Sequence, residues 1–128
     1  MAWNDERPMS PHLQIYKLPL TAYVSIANRI AGVINSVAMV LLVLVLAVAA
    51  GSTSDSSFIL SVLNSWFGKL VLFGFTLSLY YHMCNGIRHL FWDVGMGFEL
   101  ETANKTAKVS IGVAVALTII TWIIASAS

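Results

Sequence analysis

Val37-Ala38-Met39-Val40-Leu41-Leu42-Val43-Leu44-Val45-Leu46-Ala47-Val48-Ala49-Ala50 contains no polar side chain. Extended back to about Ala27, it approaches the roughly 20 residues that a helix needs to cross a hydrocarbon core of about 30 Å. Two further stretches, about Trp66 to Phe91 and about Val109 to Ala125, have the same character. The pattern predicts an all-α membrane protein with three transmembrane helices, at about 27–50, 66–91 and 109–125. Composition agrees. Of the 128 residues, 58% are hydrophobic and 10% charged, and the mean hydropathy is +0.80. Soluble domains carry about 25% charged residues, so lipid has to cover what charge does not.

The connections are polar. Gly51-Ser52-Thr53-Ser54-Asp55-Ser56-Ser57 reads as a short loop. Asp93 to Lys108 forms the second connection and contains Gly95, Gly97, Glu99, Glu101, Lys105 and Lys108. The N-terminal Met1-Ala2-Trp3-Asn4-Asp5-Glu6-Arg7-Pro8 has none of the apolar character of a signal peptide, nor is it Arg- and Ser-rich like an organellar transit peptide. Residues 1–26 are expected to form a cytoplasmic and interfacial segment. Pro11 and Pro19 prevent one regular helix there, and Tyr16, Lys17 and Tyr23 suit the headgroup region. Residues 27–128 then form the transmembrane domain.

Basic residues set the orientation. Arg7, Lys17, Arg29, Arg88, Lys105 and Lys108 fall on the side shared by the N-terminus and the second connection, and Lys69 lies on the other. The positive-inside rule places the N-terminus in the cytoplasm, and a bacterial inner membrane is expected ahead of a mitochondrial one. The net charge of +1 comes with no basic stripe, so no nucleic-acid partner is expected. The single cysteine, Cys84, allows no intrachain disulfide.

Ionisable groups within a membrane span are costly, so each needs a reason. The second span carries His82, Arg88 and His89, and the first opens with Ser25, Asn28 and Arg29. These groups share one membrane depth. A neutral imidazole at His82 can ligate haem iron, or it can hydrogen-bond a neighbouring helix. Gly86, four residues on, falls on the same face and leaves room for a flat macrocycle. His89 shares that face but lies about 10.5 Å along the axis, too far to ligate the same iron. His12 precedes the first span. A six-coordinate haem would therefore take its other ligand from another chain. Ser25 and Arg29, at i and i+4, face the same way. Together they can hold a quinone carbonyl or a propionate, or Arg29 can simply mark the end of the helix. Arg88 and His89 can equally be snorkelling to the interface.

Three segments resemble one family. Arg7-Pro8-Met9-Ser10-Pro11-His12-Leu13-Gln14-Ile15-Tyr16-Lys17 is similar to the N-terminal signature of the succinate dehydrogenase cytochrome b subunits. Ser25-Ile26-Ala27-Asn28-Arg29-Ile30-Ala31-Gly32 resembles their S-I-x-H-R-x-x-G segment. His82-Met83-Cys84-Asn85-Gly86-Ile87-Arg88-His89-Leu90 with Asp93 resembles their H-x-x-x-G-I-R-H-L-x-x-D segment.

The resemblance implies three transmembrane helices packing with a smaller membrane subunit, which together anchor an iron–sulfur subunit and a flavoprotein subunit. It implies a haem b shared between the two membrane subunits, with His82 as one axial ligand to iron. It also implies a ubiquinone site at Ser25 and Arg29. Arg29, His89, Gly86 and Asn28 would surround the haem. Asn28 stands where the family usually has His, and keeps hydrogen-bonding capacity without the possible positive charge. The chain is expected to be a non-catalytic subunit of an oxidoreductase. A fumarate reductase anchor and a structural anchor without haem are the competing readings.

Overall fold

The computed structural model describes residues 15–51 and 55–127. Four helices follow one another: α1 (Leu20–Ala50), α2 (Asp55–Asn64), α3 (Trp66–Asp93) and α4 (Leu100–Ala127). Among the described residues α1, α3 and α4 are long and apolar enough to cross a membrane. The N-terminal signature from Arg7, including His12, lies outside the described residues but for its last members, as do Ser52, Thr53 and Ser54 of the polar loop.

Two helices begin earlier than apolarity alone suggests. Pro19, in an extended conformation, precedes Leu20, and nothing from Leu20 onward breaks a helix. The last turns of the expected interfacial segment, with Tyr23, Ser25 and Ile26, are therefore helical and continuous with the first span. α4 starts at Leu100 rather than near Val109. Its first turns are amphipathic: Ala103 and Ala107 are buried, whereas Glu101 and Lys105 pair on the exposed side at 2.7 Å. α2, part of the expected connection, ends where Ser65 caps α3 by accepting from the Gly68 N–H at 3.1 Å.

The turn after α3 is a Schellman motif. Gly95 takes φ of 84°, its N–H reaches the Trp92 carbonyl at 2.8 Å, and the Met96 N–H reaches that of Phe91 at 3.0 Å. Gly97 also has positive φ, at 81°, and its carbonyl accepts from Trp92 Nε1 at 3.2 Å. This turn folds the chain sharply enough to lay α4 against α3.

α4 meets its neighbours through Ala103, Ala107, Ser110, Ala114 and Thr118, all buried. Small side chains at this spacing let helix backbones approach closely, which is how helices associate in lipid. Gly32, Ser36, Gly68 and Gly74 are the small residues conspicuous in the sequence, but they do not form such a stripe. Gly74 would accept a Cβ with nothing within 4 Å, whereas one at Gly68 would run into the Val62 and Leu63 carbonyls of α2. α1 is the most uncovered of the three spans: Val24 and Ala31 are its buried residues, and Val40 to Leu44 are all exposed. Those side chains face whatever surrounds the chain in the membrane.

Candidate functional site

Three side chains of α3 reach across to the backbone of α1. Ser78 Oγ donates to the Ala31 carbonyl, Tyr81 Oη donates to the Val24 carbonyl, and His82 Nδ1 bonds the Asn28 carbonyl, each at 3.1 Å. A helical carbonyl that already accepts one N–H has a second lone pair for such a bond. These contacts fix α1 and α3 as antiparallel neighbours and bring the start of α1 to the depth of His82.

The His82 bond has a chemical consequence. A carbonyl can only accept, so the neutral imidazole must carry its proton on Nδ1. Nε2 then presents a lone pair, and it has no hydrogen-bond partner among the described residues. Nδ1–H bonded to a backbone carbonyl is the arrangement that orients a ligating histidine and raises its basicity. Gly32 makes the seat: a Cβ there would stand 3.2 Å from His82 Cε1 and 3.7 Å from Nδ1.

The surrounding face of α3 is open. A Cβ on Gly86 would meet nothing within 4 Å, and Leu79, Met83 and Leu90 nearby are exposed. Asn28 Oδ1 and Asn35 Nδ2, two turns apart on α1, are buried without a hydrogen-bond partner among the described residues. So is Asn85 Oδ1, although its Nδ2 donates to the Tyr81 carbonyl at 3.0 Å. Orphaned buried polar atoms of this kind cost about 1–3 kcal/mol each, which at Asn28 and Asn35 favours a polar companion outside the described residues.

The other expected site residues are only partly gathered. Ser25 and Arg29 lie one residue on from Val24 and Asn28, hence at the right depth, with Arg29 exposed. Neither side chain bonds another described residue. His89 sits edge-on to Trp92, ring centroids 5.0 Å apart, rather than beside Arg29. Among the described residues no three His, Cys, Asp or Glu side chains converge as a metal site, so His82 stands as a lone imidazole on an open face.

One residue has a role that the sequence reading missed. Arg88, for which snorkelling was one of the readings, is 5% exposed. Its Nε donates to Thr106 Oγ1 and its Nη2 to the Ala103 carbonyl, both at 3.1 Å, while the guanidinium lies 4.0 Å over the Trp92 ring. It therefore ties α3 to α4. The available signal was Trp92 at i+4 on the same helix face. Thr106 and Ala103 become visible only once the turn at Gly95 has folded α4 back.

The family model described as succinate dehydrogenase/fumarate reductase transmembrane subunit matches residues 4–121. The chain belongs to that family. It is 42% identical over 123 residues to the succinate dehydrogenase cytochrome b556 subunit of Paracoccus denitrificans, covering 94% of this chain and 93% of the relative. It is 37% identical to the cytochrome b556 subunit of Rickettsia felis, covering 93% of each. It is 37% identical to the cytochrome b560 subunit of Reclinomonas americana, covering 94% and 88%. The resemblance read from three short segments thus extends along almost the whole chain, and the all-helical, three-span architecture accords with a membrane subunit of this family.

Proposed function

We propose that the chain is the haem b- and quinone-binding membrane anchor of a succinate:quinone oxidoreductase, in which electrons arrive through an iron–sulfur subunit and leave on ubiquinone. The observation that carries this reading is the seating of His82, whose Nδ1 bonds the Asn28 carbonyl while Gly32 makes space for the ring. The same bond leaves the lone pair of Nε2 available, and a haem iron would take it. The open surface at Gly86 suits a flat macrocycle, and the orphaned Asn28 Oδ1 suits a polar neighbour there. Bound in this place, haem b supplies a one-electron redox centre. A histidine of a smaller membrane subunit would hold the haem as well, since among the described residues no second imidazole lies within reach along α3. Arg29 and His89 would hold the propionates, for which cationic donors are suited.

Ser25 and Arg29 are the quinone-binding pair. Their hydroxyl and guanidinium donate to one quinone carbonyl from a shared face of α1. Two further partners, the iron–sulfur and flavoprotein subunits, lie on the side of the N-terminus and the α3–α4 turn, which the basic residues assign to the cytoplasm of a bacterial cell. The chain contributes no succinate chemistry of its own. Its relatives quoted above are succinate dehydrogenase subunits, which favours this direction over fumarate reduction. The unpartnered Nε2 of His82 favours it over a structural anchor, for which the bond to α1 alone would suffice.

The test of haem ligation is His82→Leu in the assembled complex, followed by optical and electron paramagnetic resonance spectra. The low-spin bis-imidazole signal should vanish, and it should survive His89→Leu. An unaltered signal in His82→Leu refutes the ligand assignment. For the quinone pair, Ser25→Ala and Arg29→Ala should each lower succinate-driven quinone reduction by at least tenfold, with transfer to a soluble artificial acceptor retained. Equal loss of both activities points to failed assembly, and no loss removes the pair from the site.

A further inference from the structure

We propose that the α3–α4 turn is a docking surface for a soluble protein that presents basic side chains around an apolar centre. The partner's identity rests on the reading above, by which it is the iron–sulfur subunit. Val94, Met96, Phe98 and Leu100 are each more than half exposed. Asp93 and Glu99 beside them are exposed too, and neither has a partner among the described residues. No Lys, Arg or His occurs between His89 and Lys105.

Lipid is the wrong cover for this surface. The apolar run of α4 begins only at Val109, after helical turns that carry Glu101, Asn104, Lys105 and Lys108. At the usual helical rise, Leu100 stands roughly 13 Å outside that run. The headgroup layer is only about 5–7 Å deep on each side of the hydrocarbon core. The turn therefore projects past the headgroups. Its unpaired carboxylates would also be repelled by the anionic lipids of a cytoplasmic leaflet. Apolar side chains exposed together in water mark a protein contact, and Met and aromatic residues are enriched in such contacts.

The turn holds a fixed shape. Trp92 donates its Nε1–H to the Gly97 carbonyl at 3.2 Å and carries the Arg88 guanidinium 4.0 Å from its ring centre. It also stacks on Phe98, with centroids 6.4 Å apart and planes at 18°. Gly95 and Gly97, both at positive φ, bracket Met96. Met96 and Phe98 are thus presented on an ordered backbone, and a preordered surface loses little entropy on binding. Carboxylates around it complement a basic partner and speed its approach.

Membranes holding the complete complex test this. After a salt wash, succinate oxidation by a soluble artificial acceptor reports how much of the soluble part is retained. The haem spectrum reports whether the membrane part is folded. Met96→Asp and Phe98→Asp should each lower the retained activity at least fivefold with the haem spectrum unchanged. Glu99→Lys should release the soluble subunits at about half the salt concentration that wild type needs. A nitroxide on the cysteine of Met96→Cys should be immobilised in the complex and become mobile once a chaotrope strips the soluble subunits. Retention equal to wild type in all three charge variants overturns the proposal. So does a nitroxide relaxed by lipid-dissolved oxygen in the complete complex, which would put the turn in the bilayer. Wild-type membranes without bound succinate oxidation would overturn the functional reading itself, and this partner with it.

Discussion

The two seams of α3 are built on different principles. Against α1, side chains of α3 bond to main-chain carbonyls: Ser78 to Ala31, Tyr81 to Val24 and His82 to Asn28. Against α4, most polar contacts join side chain to side chain, Tyr80 Oη with Thr121 Oγ1 at 2.8 Å and Arg88 with Thr106, and Phe73 lies edge-on to Trp122; Arg88 Nη2 to the Ala103 carbonyl is the exception. The small residues of α4 close that second seam. A seam made to carbonyls does not consume the partner's side chains. It leaves Ser25 and Arg29 of α1 without a partner among the described residues, as the proposed quinone-binding role requires. The seam with α4 consumes side chains on both helices and holds the subunit together.

The largest expected effect belongs to the second seam. Ala107 is 0% exposed in the stripe of α4. Ala107→Leu adds a branched side chain where helices are in close contact, and overpacking of this kind costs about 1–3 kcal/mol, here at the upper end. The melting temperature of the detergent-solubilised complex should fall by several degrees, and the yield of assembled complex should drop. A stable, fully assembled Ala107→Leu complex would show that the stripe is loosely packed and that the contrast between the seams is false.

Much of this division was legible in the sequence, and the illegible parts have a common cause. The three spans follow from apolar runs such as Val37 to Ala50, because lipid imposes length and composition. His82, Gly86 and the Ser25–Arg29 pair follow from the cost of polar groups in a span and from helical spacing. Apolarity could not see the polar first turns of α1 and α4, which are helical because nothing after Pro19 or Phe98 breaks them. Nor could spacing within one helix reveal contacts between helices. The seat that Gly32 makes for His82, the carbonyl bond that fixes its tautomer, and the burial of Arg88 all depend on where α1 and α4 lie against α3.

An intermediate effect is expected at Gly32, and it should be spectroscopic rather than thermodynamic. Gly32→Ala places a Cβ 3.2 Å from His82 Cε1, tighter than ordinary contact, so the imidazole must shift by a few tenths of an ångström. The ring stays close enough to the Asn28 carbonyl to keep its tautomer, so ligation should persist. Its plane should tilt, moving the low-spin resonance and the midpoint potential while the melting temperature changes little. Spectra and potential identical to wild type would remove Gly32 from the seat. Loss of assembly comparable to that of Ala107→Leu would place global stability in the α1–α3 seam instead.

The smallest effect is expected at Ser78, and it tests the carbonyl-bonded seam most directly. Ser78 is 8% exposed, and its hydroxyl bonds the Ala31 carbonyl one turn along α3 from His82, a bond separate from the one that His82 itself makes to Asn28. Ala31 lies inside α1, so its carbonyl retains the helical N–H bond when the hydroxyl is removed. Ser78→Ala therefore deletes one hydrogen bond and orphans no acceptor. Interhelical hydrogen bonds in lipid average only about 0.6 kcal/mol, because the separated helices also find partners. The melting temperature should fall by about a degree or less, with the haem spectrum unchanged. Because Tyr81 and His82 still join the two helices, the register of α1 on α3 should hold, and cysteine pairs placed across the seam should cross-link as in wild type. If Ser78→Ala instead destabilised the complex as much as Ala107→Leu, a single hydroxyl–carbonyl bond would be holding α1 in register. The freedom of Ser25 and Arg29 to face a ligand would then depend on the very seam proposed to leave them free.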